Sequence, residues 1–130
     1  MSSIFTKIIN REIPASIIAE NESFIAFLDV FPLAKGHVLV VPKKEIDYIF
    51  SIEDTLLAEM MVFSKKIAKA IEQAIPCKRI GVAIIGLEVP HAHIHLIPLQ
   101  TVQDINFTRE KLKVDPDEMN EIATSIKKYL

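Results

Sequence analysis

Residues 91–98 read HAHIHLIP, and this run places three of the chain's four histidines, His91, His93 and His95, at alternate positions. Its apolar end has the length and composition of a β-strand. Side chains alternate across a strand, so the three histidines share one face while Ala92, Ile94 and Leu96 share the other. The spacing predicts a strand with one chemical face and one core face. Same-face neighbours on a strand stand roughly 7 Å apart, close enough to act on one ligand, while His91 and His95 stand about 13 Å apart.

Three chemistries fit such a row. Histidines scattered over a solvated surface are the plainest, but scatter does not explain three within five residues. A zinc protein is the second, since neutral imidazole ligates zinc and a His-x-His pair can chelate one ion. Zn–N bonds of about 2.0 Å from all three rings are awkward over that span, and no acidic or thiol ligand stands beside them. Covalent catalysis at phosphorus is the third: one imidazole attacks while its neighbours orient it and pass protons. A reference pKa near 6.5 leaves histidine mostly neutral and nucleophilic, yet able to serve as an acid.

Outward from this run, RIGVAIIG (79–86) is apolar without alternation, as in a strand buried on both faces or facing a second subunit. From about Glu53 to Ile75, Leu56, Leu57, Met60, Met61, Ile67, Ala68, Ile71 and Ala74 keep a 3.6-residue period, which predicts one long helix. HVLVVP (37–42) reads as a strand stopped by Pro42, and IIAENESFIAFL (17–28) as two strands hinged at Glu20-Asn21-Glu22. Ile4, Phe5, Ile8 and Ile9 predict a short N-terminal helix in a segment closed by Pro14. Asp115, Pro116 and Glu118 mark the start of a C-terminal helix. The expected architecture is one α+β domain over 1–130, with mostly antiparallel strands, one long helix and short terminal helices.

Half of the 130 residues are apolar, a quarter are charged, and the net charge is −2. That balance gives no general attraction to nucleic acid or anionic membrane, so a phosphate-bearing ligand would need a local site. The single cysteine, Cys77, suits a reducing compartment. The N-terminal stretch lacks the apolar core of a signal peptide, so a cytoplasmic protein is expected, with neither nucleic acid nor membrane as partner.

His-Ala-His-Ile-His-Leu-Ile resembles the signature of the histidine-triad (HIT) nucleotide-binding proteins. IFTKIINREIPASIIAE and AFLDVFPLAKGHVLVVPKK are similar to that family's opening, ribose-binding and first-histidine segments. The resemblance implies a HIT-like fold with about five antiparallel strands, and a nucleotide hydrolase or transferase of the phosphoramidase type needing no cofactor or metal. It implies that His93 is the nucleophile toward an α-phosphorus, that His95 contacts phosphate and assists the leaving group, that His91 orients His93, and that His37 completes the set. Asp29 matches the carboxylate that accepts from ribose hydroxyls, and Val30 follows it in the same segment. Ile4, Phe5, Ile8, Ile13, Phe27 and Leu39 match the apolar slot for a purine base. The resemblance also implies a homodimer joined through the long helix and the 79–86 strand.

The chain departs from the pattern before the triad. Leu87 and Glu88 stand where family members commonly carry a glutamine and a hydroxyl residue that donate to phosphate, and the turn is shorter. An ionised Glu88 only accepts, so it must turn away, pair with a cation such as Lys35, Lys43 or Lys44, or serve another substrate. A nucleotide-sensing module without turnover and a zinc protein therefore remain beside the enzyme as alternatives.

Overall fold

Local chemistry sets the first hairpin. The Asn21 side chain accepts from the amides of Ser23 and Phe24, which closes the turn between β1 (Ile17–Glu20) and β2 (Phe24–Leu28). Three further strands, β3 (Val38–Pro42), β4 (Arg79–Ala83) and β5 (Ile94–Leu99), complete one sheet in the order β1-β2-β3-β5-β4, with all neighbours antiparallel. The computed structural model describes residues 2–130. The α+β expectation with five antiparallel strands holds.

Alternation decides what each face of the sheet carries. On one face Phe24, Ala26, Val38, Val40, Ile94 and Leu96 meet Met60, Ile67 and Ile71 of α2 (Asp54–Ala74) and Ile122 and Ile126 of α3 (Pro116–Lys127). On the other, Ile25, Phe27, Leu39 and Val41 meet Phe5 and Ile8 of α1 (Ile4–Ile9). Both faces of β2 and β3 are thus covered, and every residue of these two strands is buried. Leu39 pairs with His95, so the histidine face is the α1 face.

Helix ends follow their caps. Ser3 accepts from the Thr6 amide at the start of α1, Glu53 from Thr55 at α2, and Asp115 from Glu118 at α3. Glu118 itself pairs with Lys35 at 2.5 Å. The first helix stops at Ile9, well before Pro14, because Arg11 adopts a left-handed φ of 61° and turns the chain away.

Two expectations need correction. The histidine strand begins at Ile94, not His91: the His91 amide donates to Val89 O and the Ala92 amide to Ile46 O, while β4 reaches no further than the Ala83–His95 pair. The amides of His91 and Ala92 thus go to loop carbonyls, and pairing with β3 stops at Val40–Ile94. The 79–86 run is not buried on both faces either. Its strand ends at Ala83 and lies at the sheet edge, with Val82, Ile84 and Ile85 exposed.

Candidate active site

A pocket of about 510 Å³ opens on the α1 side of the sheet. Ile4, Phe5, Ile8, Ile13, Phe27 and Leu39 line its apolar end, while Asp29, Val30 and Glu88 line the polar end with His37, His93 and His95. Ile4 and Val30 are about half exposed, which places them at the rim. Its volume and mainly apolar walls suit a small organic ligand. His91 does not line it; this ring is fully buried behind the pocket.

Hydrogen bonds fix which ring nitrogen carries each proton. The Leu33 amide donates to His37 Nδ1 at 3.0 Å, so in the neutral ring the proton sits on Nε2. That Nε2 lies 2.9 Å from His95 Nδ1 and donates to it, which leaves the His95 proton on Nε2. His93 runs the other way: its Nδ1 lies 2.7 Å from the His91 carbonyl, which only accepts, so the Nε2 lone pair is free. No buried side-chain nitrogen or oxygen lacks a partner among the described residues, so these two uncommitted Nε2 atoms reach the pocket. The His93 and His95 rings stand edge to face, 4.8 Å between centroids.

The surroundings keep these rings neutral. Burial lowers the pKa of His37 to about 3, aided by the positive character of His95, Lys111 and His93. Burial and then His93 lower His95 to about 4, and burial lowers His93, opposed by its bond to the His91 carbonyl. Asp29 is raised by burial, while the Phe31 amide on its Oδ1 at 2.9 Å and Lys111 pull the other way. Behind the pocket, His91 Nε2 donates to Pro42 O at 2.8 Å and Nδ1 meets Ser3 Oγ at 2.7 Å. Glu45 accepts from the Ser3 amide and the Thr6 hydroxyl, which hold its carboxyl down at about 2.

The HIT domain pattern matches residues 10–102 of the chain. The chain belongs to the histidine-triad (HIT) family. An uncharacterised HIT-like protein of Borreliella burgdorferi is 32% identical over 95% of this chain and 94% of its own. The adenosine 5′-monophosphoramidase hnt1 of Schizosaccharomyces pombe is 38% identical over 75% of this chain and 74% of its own. The crystal structure of a HIT-like protein from Bartonella henselae superimposes with a TM-score of 0.86, at 30% identity, covering 99% of this chain and 97% of that one.

Within this HIT fold, Asp29, His37 and His95 bring one ligand atom each within 4.8 Å of one another, the grouping nearest to a metal site among the described residues. Its chemistry does not fit one. A metal on His37 Nε2 would require the proton to sit on Nδ1, where the Leu33 amide already donates, and two N–H groups would then face each other at 3.0 Å. The position between His37 and His95 fits a proton. A zinc site built on His91 and His93 fits no better, because Pro42 O and His91 O occupy a nitrogen of each ring and Ser3 Oγ the second of His91.

Sequence reasoning missed part of the HIT site. Phe107 packs edge-on against His95 at 4.7 Å, and Thr108 and Lys111 line the pocket with it. The one available signal was a lone aromatic in a polar stretch. The cations named as candidate partners of Glu88 lie elsewhere: Lys35 meets Glu118, Lys43 meets Glu20 at 2.7 Å, and neither they nor Lys44 line the pocket. Glu88 makes no ion pair among the described residues.

Proposed function

We propose that this protein is a nucleotide hydrolase or transferase that cleaves a nucleoside 5′-monophosphate, with a purine base, from an amine, acyl or phosphate leaving group. The observation that carries the reading is the opposed tautomers of His93 and His95: a bare Nε2 beside a protonated one in a single pocket. In this scheme the base lies in the apolar slot, and Asp29 accepts from the ribose hydroxyls. His95 takes up a proton when the anionic phosphate binds beside it. His93 Nε2 then forms a bond to the α-phosphorus as the bond to the leaving group breaks, and the leaving group takes the Nε2 proton of the charged His95, which returns to neutral. Water then attacks the nucleotidyl-histidine, giving its proton back to His95 and its hydroxyl to phosphorus, so His93 is regenerated. Anionic phosphate beside His95 opposes the effect of burial and favours its charged form. His91 acts through its carbonyl, which points the His93 ring.

No metal enters this scheme. The expected partners are a purine nucleotide or conjugate and a second copy of the chain, and the expected setting is cytoplasmic. The edge position of β4 and the exposed Val82, Ile84, Ile85, Met61 and Val62 support the homodimer. Among the described residues no helix is long and apolar enough to cross a membrane. A nucleotide sensor is the second reading, favoured by the unpaired Glu88 at the polar end.

A panel of nucleoside phosphoramidates, assayed for AMP and GMP release, tests the proposal. Wild type should turn over at least one, and His93→Ala should lose more than ~1000-fold while still binding AMP. Binding without release in wild type would establish the sensor, and unimpaired turnover by the variant would end the assignment.

A further inference from the structure

Neither the triad nor the turn before it supplies a fixed positive charge to this pocket, and Leu87 and Glu88 offer no side-chain donor there. The segment after β5 brings one. Residues 106–112 border the pocket, through Phe107, Thr108 and Lys111, as a strap tied to the loop after Asp29: Arg109 donates to Leu33 O at 2.9 Å, and the Leu112 amide to Pro32 O at 2.8 Å. Arg109 is held further by Asp104 at 3.5 Å. Phe107 fixes the strap against the His95 and His37 rings.

We infer that Lys111, carried on this strap, is the phosphate-binding cation of the site and takes over the task of the missing donors. Its ammonium donates to Phe107 O at 2.7 Å and to Arg109 O at 3.2 Å, which orients it and leaves one of its three N–H bonds uncommitted. No carboxylate pairs with it among the described residues, and it is the one lysine or arginine among the residues lining the pocket. An ammonium held by two carbonyls, with Asp29 near enough to feel its charge but no carboxylate in ion-pair contact among the described residues, keeps a donor for an incoming anion, and the anion that the proposed substrates bring is phosphate. The inference rests on the nucleotide reading above. It also explains how a pocket bordered by Asp29 and Glu88 would admit a negatively charged group: the positive charge of Lys111, felt at Asp29, offsets theirs.

The test compares ligands with and without the phosphate. Titration calorimetry is run with AMP and adenosine, and with GMP and guanosine, on wild type, Lys111→Gln and Lys111→Arg. Gln retains donors for the strap carbonyls but removes the charge. The monophosphates should bind the Gln variant about tenfold more weakly, with nucleoside affinity unchanged, and Arg should restore most of the difference. Equal losses for nucleoside and nucleotide would make Lys111 a structural tie or an aid to Asp29, and undiminished AMP and GMP binding would remove it from phosphate recognition; either result overturns the inference. If the Gln variant does not fold, Lys111→Arg and the salt dependence of the wild-type AMP-to-adenosine affinity ratio decide, since a ratio indifferent to salt contradicts a charge-based contact. Wild type that binds no nucleotide at all refutes the functional reading itself, and this inference with it.

Discussion

Replacing His37 by asparagine separates the two hydrogen bonds that its buried ring makes. The Asn side-chain oxygen takes roughly the place of Nδ1 and still accepts from the Leu33 amide, but nothing remains to donate to His95 Nδ1. Losing one neutral hydrogen bond costs about 1 kcal/mol. The shorter side chain leaves a cavity of a few tens of Å³, which at ~24 cal/mol per Å³ adds about 1 kcal/mol. Stability should therefore fall by about 2 kcal/mol, read as a drop in the urea midpoint at constant m. The larger consequence is chemical. Without its donor, His95 is free to move its proton to Nδ1, away from the pocket, so proton delivery to an alkylamine leaving group should slow by about tenfold or more, a part of the ~100-fold or greater factor that general acid catalysis supplies in full. A p-nitrophenolate leaving group needs no proton and should depart at nearly the wild-type rate. Nitrogen-15 NMR reads the tautomers directly: in wild type, His95 should be protonated on Nε2 and His93 on Nδ1. A proton on His95 Nδ1 in wild type, or equal slowing of both leaving groups in the variant, would refute the reasoning.

Two further outcomes follow from charge and burial. His37, His95 and His93 have folded-state pKa values below the 6.5 of a free ring, so between those values the unfolded chain binds more protons. Their contribution to stability is complete above about pH 6.5 and is lost as pH falls, to about 4 for His95 and about 3 for His37, at up to ~1.4 kcal/mol per pH unit for each ring. Urea midpoints at pH 7 and pH 5 check this, and equal midpoints would show that the rings are not held neutral; Glu20, Glu45 and Asp104, lowered from ordinary carboxylate values, lose theirs only below about pH 4.5. Glu88→Gln removes a negative charge from the pocket's polar end and should tighten AMP severalfold, about 1 kcal/mol, with adenosine unaffected. Calorimetry that finds AMP weakened instead would mean that the Glu88 carboxylate helps to hold the nucleotide.

Much of the site was legible before any coordinate. Alternation put the histidines opposite Ala92, Ile94 and Leu96, and those three do lie in the helix-covered core while the histidines take the α1 face. The apolar residues assigned to a base slot all line one pocket. The long helix was legible because a 3.6-residue period over five turns has few competing readings. Where the strand begins was not, because that depends on which carbonyls receive the amides of His91 and Ala92, and Ile46 is far away in sequence. The edge position of β4 escaped for a similar reason: an apolar run does not say whether a neighbour, a helix or solvent lies beside it.

The sequence by itself determined the chemical inventory of this protein: three imidazoles in alternation, a fourth ahead of a β-branched strand, a carboxylate eight residues before that one, and apolar periods that sort the chain into sheet and helix. Only the tertiary structure decided what those groups do to one another. The proton positions on His37, His93 and His95 come from a loop amide, a neighbouring carbonyl and another ring, and Lys111 meets the pocket through a strap tied to Pro32 and Leu33. Residue identity and spacing are local properties that periodicity exposes. A tautomer or a placed charge depends on partners distant along the chain, and only folding brings those within hydrogen-bond reach.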